Sequence, residues 1–351
     1  MTDIPVAPDF DELPCPRNVS KTTKYLDLSN QFLNRIPQWL TSFKYLESLN
    51  LSKNNITLTF HDCQVLQSLP SLKEIILNTN SITVLNKSFQ NAISMLNNLE
   101  TLDLSTNLIN DISPLTETIL KITMLQLSGN RITDIPLNIA NLKSLERLYL
   151  GFNKIRYIPP SLFLLPKLQL LALNNNQIKD VPLSEKSTVS NLKTINLHNN
   201  RITLLNRYLV DGLPSLRELS LRGNPLVDKF VAKQLSAGKT HTPPTLFEMC
   251  CRSVKHHGID YKNSFLPKSI QKYLQCSKKC PNPECPGVYF DESYEQVKFV
   301  DFCGAYRLPL MQFLCSPGCI ENDDFSTTES SNSSSEEDHG LLRRRALLTR
   351  N

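Results

Sequence analysis

The chain has 351 residues, 40% of them hydrophobic and 20% charged, enough apolar material to bury a core and too much for global disorder. Its 38 basic and 33 acidic residues leave a formal charge of +5, too mild to point to nucleic acid or a membrane surface. Ten cysteines and 22 prolines against 10 glycines exclude a collagen-like or glycine-linker chain, and Pro166 and Lys167 interrupt the best apolar run, 161–173.

Residues 1–23 form an acidic, proline-rich flank without the basic start and apolar stretch of a secretory signal. The expected location is therefore cytoplasmic, with the nucleus open, where thiols stay reduced and clustered cysteines point to metal before disulfides. From 24 to 226 the pattern L-x-x-L-x-L-x-x-N-x-L recurs about nine times, as in Leu145, Leu148, Leu150, Asn153 and Ile155. The Asn position falls at Gln31, Asn54, Asn80, Asn107, Asn130, Asn153, Asn176, Asn200 and Asn224. This stretch resembles the leucine-rich repeat family, whose leucines point inward from short parallel strands into a core shared between units. The Asn is expected to turn inward and satisfy backbone groups of adjacent turns. Ile36-Pro37, Ile135-Pro136, Ile158-Pro159 and Val181-Pro182 mark the return segments, and the units with longer spacing should carry extra helix.

Strand residues between the leucines face outward and are mostly small and polar. Met124, Arg147, Tyr149, Phe152 and Leu170 break that rule in adjacent units, with His198 and Arg222 further along. Aromatic and Arg side chains on a polar wall are the usual anchors of a protein interface, so these seven are the candidate target-binding residues.

After Leu226 the repeat stops. Residues 227–244 read as a cap and hinge, with an amphipathic helix over 226–239 ended by Gly238 and the hinge at 241–244. In 245–254, TLFEMCCRSV, Thr245 is a plausible N-cap, and Leu246, Cys250 and Val254 share one helical stripe at i, i+4 and i+8. This resembles the elongin-binding box, in which the Leu enters a pocket on elongin C. Next, LPKSIQKYL (266–274) sets Ile270, Tyr273 and Leu274 on one helical face, with Pro267 suited to a first turn. With Leu266 and Pro267 it resembles the cullin box that follows the elongin box in suppressor-of-cytokine-signalling (SOCS) boxes. The order and spacing of the two motifs reinforce each other. Ser264-Phe265 stands where the cullin 5 type carries a second Leu-Pro, while the simpler cullin 2 pattern is satisfied, so both cullins stay open.

Beyond the box, CPNPEC (280–285) and CSPGC (315–319) are two tight turns that curl thiols toward one point. Cys280, Cys285, Cys315 and Cys319 are expected to hold a structural Zn²⁺, with Cys276 or Cys303 as substitutes for one ligand and six reduced thiols in a small apolar domain as the alternative. Residues 287–302 read as a β-hairpin of this 275–319 module, which a metal would stabilise. Residues 320–351, Ser- and acid-rich and then basic, lack a core-forming pattern and are expected to be a disordered tail.

The expected architecture is an α/β solenoid, a leucine-rich repeat horseshoe with parallel strands on its concave face, followed by a small helical box and a Cys-rich β-hairpin module. No phosphate-binding Gly loop, H-E-x-x-H or G-x-S-x-G is present, so no catalytic residue is assigned and a non-enzyme is expected. The resemblances imply a substrate-receptor subunit of an elongin BC–cullin–RING ubiquitin ligase. Its partners would be elongin C and B, cullin 2 or cullin 5, and a protein substrate, without nucleic acid or membrane. The alternative is a leucine-rich repeat scaffold in intracellular signalling whose C-terminal module is purely structural.

Overall fold

The structure is a computed structural model that describes residues 19–117, 121–182, 191–206, 213–227, 243–262, 265–302, 306–319 and 342–343. It divides into two compact units, Met1–Thr203 with Tyr208–Pro225 and Gly340–Asn351, and Leu204–Arg207 with Leu226–His339.

Nine short strands in the first unit stack in parallel: β1 (Tyr25–Asp27), β2 (Ser48–Asn50), β3 (Glu74–Ile76), β4 (Thr101–Asp103), β5 (Met124–Gln126), β6 (Arg147–Tyr149), β7 (Leu170–Ala172), β8 (Thr194–Asn196), then, past the short β9 (Leu205–Asn206), β10 (Glu218–Ser220). Register is strict, so that Leu26, Leu49, Ile75, Leu102, Leu125, Leu148, Leu171, Ile195 and Leu219 line up across the sheet. Each is buried, which follows from the alternation of side chains along a strand.

The Asn ladder is present throughout. Asn153 Oδ1 accepts the Ile132 N–H at 3.0 Å, and its Nδ2 donates to the carbonyls of Leu127 and Leu150, both at 3.0 Å. Asn80, Asn107, Asn130, Asn176, Asn200 and Asn224 repeat that arrangement one unit at a time. Asn54 bonds the first unit likewise. Gln31, in the first unit, instead donates to the Ser29 carbonyl on the surface. A left-handed residue stands immediately before each of these positions: Asn30, Lys53, Thr79, Thr106, Gly129, Phe152, Asn175, Asn199 and Gly223. That turn swings the next side chain inward.

The return segments differ as unit length predicts. Shorter units return through 3-10 turns at Gln38–Ser42, Leu137–Asn141 and Pro160–Leu164, each entered through a proline. The two longest, which run from Asn54 to Asn80 and from Asn80 to Asn107, hold α1 (Phe60–Gln67) and α2 (Lys87–Met95). In the next, shorter unit α3 (Ser113–Thr116) is a single turn. Thr59 and Asp62 close a capping box on α1, and the buried Asp62 carboxylate also accepts the Ile36 N–H.

The second unit contains α4 (Leu246–His256), α5 (Lys268–Gln275) and a two-stranded ribbon, β11 (Lys278–Lys279) with β12 (Val288–Tyr289). A long hairpin follows, β13 (Tyr294–Phe302) with β14 (Tyr306–Leu314), and β9 adds to β14 in parallel. The hairpin expected over 287–302 is thus displaced. Val288 and Tyr289 pair back to 278–279, and only 294–302 enters a hairpin, whose second strand is 306–314. The alternation was present in both strands, but their partners lay outside the window. The expected cap helix over 226–239 lies, from 228 onward, outside the described residues, as does Cys303. Within the tail expected to be disordered, Leu342–Arg343 forms β15, antiparallel to β10, because the last solenoid strand has an open edge to pair.

Replacing Asn153 by Ala would leave two carbonyls and one N–H buried without partners, at a cost of about 3 kcal/mol. Urea unfolding should register that loss, with Gln31→Ala within about 0.5 kcal/mol of the parent.

Candidate functional site

α4 is amphipathic in two directions. Thr245 caps it, its Oγ accepting the Glu248 N–H at 3.2 Å. One face is locked onto the unit. The buried Glu248 carboxylate accepts the N–H groups of Phe290 and Glu292, both at 3.1 Å, and pairs with Arg252 one turn later. Arg252 also donates to the carbonyls of Cys315 and Glu292. Sequence reading passed over this pair, although opposite charges at i and i+4 were visible. Beside it, Cys251, Leu274 and Phe290 form a small core, with Val254, Tyr261, Ile270, Tyr273 and Val288 packed around it.

The other face of α4 is bare. Leu246 is 78% exposed, Met249 and Cys250 are also exposed, and Phe247 is half covered by the Tyr273 ring at 5.2 Å. Of the expected elongin stripe, Leu246 and Cys250 therefore face outward, while Val254 turns toward the unit's own core.

The expected cullin residues divide more sharply. Leu266 and Pro267 are exposed, and Pro267 is the N-cap of α5 rather than a member of its first turn. Leu274 is 1% exposed, and Ile270 and Tyr273 pack on the same core. Tyr273 stacks on Phe290 at 4.8 Å and donates its hydroxyl to Asp291 at 2.7 Å. These three are corrected from partner-binding to core-forming residues, because the face they share on α5 is the face that meets α4 and β12.

Cys280, Cys285, Cys315 and Cys319 converge, their sulfurs all within 4.8 Å of one another. Cys280 follows β11, Cys315 follows β14, and each pair is closed by a turn, with Cys285 N–H on the Asn282 carbonyl and Cys319 N–H on that of Ser316. Sγ separations are 3.5 Å for Cys285–Cys315 and 3.6 Å for Cys315–Cys319. Four thiolates at about 2.3 Å from one tetrahedral ion sit about 3.8 Å apart, so the four could hold a metal ion. Cys276 is exposed and outside the cluster. Burial pushes the Cys315 and Cys285 thiols above the ordinary range. Burial acts on Cys319 in the same sense but is outweighed by hydrogen bonds from Ser316 and the neighbouring thiols, so its value falls. Gly287 completes the cradle: its N–H donates to Cys285 Sγ at 3.3 Å, and a Cβ there would lie 2.8 Å from Cys315 Sγ and 3.0 Å from Cys285 Sγ. Gly287→Ala should accordingly cut the metal content of the purified chain by more than half in elemental analysis.

In the first unit, Met124, Arg147 and Leu170 are consecutive partners across β5, β6 and β7, and Tyr149 stands two residues along from Arg147. Met124, Tyr149 and Leu170 are half-buried and Arg147 is exposed. Phe152 lies on the turn leaving β6, 62% exposed at φ 55°. His198 is held by Asn196 at 2.5 Å, and burial and the nearby Arg222 lower its pKa. A bulky side chain in the left-handed region costs about 1 kcal/mol, and an exposed one recovers little by packing. Phe152→Gly should raise stability by about 1 kcal/mol in thermal or urea unfolding.

The leucine-rich repeat family model matches residues 120–178 and 166–226. Leucine-rich repeat-containing protein 58 of Xenopus tropicalis is 53% identical over 131 residues, 37% of this chain and 36% of that protein. The Xenopus laevis protein of that name is 55% identical over 95 residues, 27% of this chain and 26% of its own length. The human one is 50% identical over 93 residues, 26% and 24% respectively. The chain thus aligns with about a third or less of these relatives' length. Among solved structures, a leucine-rich repeat protein of Leptospira interrogans is 26% identical, with 60% of this chain and 57% of that chain covered at a TM-score of 0.46. The first unit is a leucine-rich repeat solenoid, and the chain is similar, over the segments compared, to proteins named leucine-rich repeat-containing protein 58.

Proposed function

We propose that this protein is a non-enzymatic substrate receptor of an elongin BC–cullin–RING ubiquitin ligase. The leucine-rich repeats support the coarser role of a protein-interaction scaffold. The finer role rests on one observation: Leu246 and Cys250 stay uncovered on α4 while Glu248, Cys251 and Arg252 fasten the reverse face of that helix to the unit. A rigid helix offering a bare leucine is the form in which an apolar anchor enters a partner's pocket with little ordering cost.

In this reading Leu246 enters elongin C, and Leu266 and Pro267 lie beside the cullin, of the cullin 2 or cullin 5 type. The solenoid face at Met124, Arg147, Tyr149, Phe152 and Leu170 holds the target. Zn²⁺ is the metal that best suits four cysteines at tetrahedral spacing, and its role is structural. Holding target and ligase on one chain raises their effective concentration, and ubiquitin transfer follows from proximity. The chemistry is carried out by the other subunits. Among the described residues no helix is long and apolar enough to cross a membrane, in keeping with a proposed cytoplasmic or nuclear location. The burial of Leu274, with Ile270 and Tyr273 packed half-buried beside it, favours the second reading for α5, a helix that serves its own unit and leaves the cullin a smaller contact.

Leu246→Asp should reduce capture of purified elongin BC about 30-fold or more, the loss of one hot-spot anchor of about 2 kcal/mol, with an unchanged melting curve. Leu274→Asp should lose the fold of the second unit and binding together. Equal recovery of elongin BC by wild type and Leu246→Asp would overturn the receptor role and leave the scaffold.

A further inference from the structure

The sheet face of the solenoid is charged unequally along its length. Outward positions on β1 to β4 carry Asp27, Glu74 and Asp103 and no cation, and the turns that follow add Lys53. At the far end, β8 and β10 with the turns that follow carry Arg222 against Glu218, and Arg147 adds a cation on β6. The acids are fixed in place. Asp27 accepts the Ser29 N–H at 2.8 Å, Asp103 accepts the Ser105 N–H at 2.9 Å, and Glu74 accepts the Ser48 hydroxyl at 2.7 Å. Those bonds orient the carboxylates and leave their charge, and among the described residues none of the three is in an ion pair. At the bordering positions one residue upstream of the strands, Lys24 and Lys73 both pair with Glu47, whose carboxyl falls to about 2 under their pull. Glu100 and Glu146 follow on that border, and Lys193 and Arg217 flank the basic end. At the other end, the Glu218 carboxylate takes a hydrogen bond from Thr194 at 3.3 Å. Between the two ends lie Met124, Tyr149 and Leu170, on β5 to β7, with Arg147 among them.

We infer that the target docks through a charge-segregated protein segment, basic where it crosses β1–β4, apolar or aromatic over β5–β7 with its first acid at Arg147, and acidic over β8 and β10. From Asp103 to Arg222 there are five strand spacings, about 24 Å, which an extended segment spans in about 7 residues. A uniformly acidic or uniformly basic ligand meets like charge at one end, so the face selects against it as well as for its complement. This inference rests on the sheet face being the target-binding face, and is independent of the elongin reading.

The test is display of random 14-residue peptides on the full chain, in parallel with Arg147→Glu/Arg222→Glu and with Tyr149→Ala/Leu170→Ala, each variant first shown by circular dichroism to be folded. Enriched peptides should carry a basic cluster and an acidic cluster on either side of an apolar centre. They should bind the charge variant at least tenfold more weakly. Exchanging a peptide's acids for lysines should cost tenfold on the wild type and be restored on the charge variant. Peptides without segregated charge, or bound equally well by that variant while lost on Tyr149→Ala/Leu170→Ala, would overturn the inference and leave the face as a binding face. If neither variant loses any peptide, or none is enriched, the binding face itself is refuted and the inference with it.

Discussion

A polar backbone group taken out of water must be given a partner inside, and both units of this chain are organised around a side chain that supplies one. In the solenoid, the chain leaves each strand through a left-handed turn, where backbone pairing between units continues only at alternate groups and would leave the remaining carbonyls and N–H groups buried without partners. The Asn amide, donor and acceptor together, joins its own unit to the preceding one at each such point. In the second unit the same requirement is met by charge. Glu248 accepts two N–H groups where the chain passes Phe290 and Glu292, and Arg252 covers the Cys315 and Glu292 carbonyls. Burying an ion pair is costly, and here its remaining hydrogen-bonding capacity is used on backbone that has no ladder of its own.

That division of labour leaves the outward positions free to specialise. Once Leu and Asn have fixed the register, the residues between the leucines lie outside the core, and beyond local hydrogen bonds such as that from the Ser105 N–H to Asp103 their chemistry can change from one unit to the next without disturbing it. Small polar residues over much of the face and a bulky group on β5–β7 are therefore content laid on a frame. Phe152 makes the point: its exposed side chain stands at a left-handed turn that Lys53, Thr79 and Thr106 also adopt and that Gly129 and Gly223 occupy without cost. The turn itself is set by folding in every unit, and only the choice of side chain at it is left open.

The solenoid was legible because its rule is local and repeated: every Leu-x-x-Leu-x-Leu carries its own strand and every Asn its own turn. The four clustered thiols were legible for a similar reason, since Pro and Gly between paired cysteines announce tight turns. Pairing over distance was not. The alternation in 288–302 fits a strand equally well against 278–279 or 306–314, and nothing in the window says which. Glu248 was hidden for another reason. A carboxylate in the first turn of a helix reads as a solvated group that favours the dipole, and only the approach of residues 290–292 turns it into a buried acceptor.

The helices show how a correct motif can misplace a residue. Positions four apart are separated by about 40° around a helix, so a stripe at i, i+4 and i+8 does not run along the axis but winds about it. From Leu246, Cys250 and then Val254 each step that much further toward the side where Cys251 and Glu248 project. The buried arc centres on those last two, so the stripe begins in the open at Leu246 and reaches the edge of the core by Val254. On α5 the set Ile270, Tyr273 and Leu274 is too short to wind, and stays within one arc that is entirely the inner one. Apolar spacing alone tells that a helix has a face to hide, and not from whom. What separates a partner-facing leucine from a core-facing one is the second set of contacts on the same helix. α4 has a buried charged pair that fastens its inner face without Leu246, whereas α5 is fastened through Ile270, Tyr273 and Leu274 themselves.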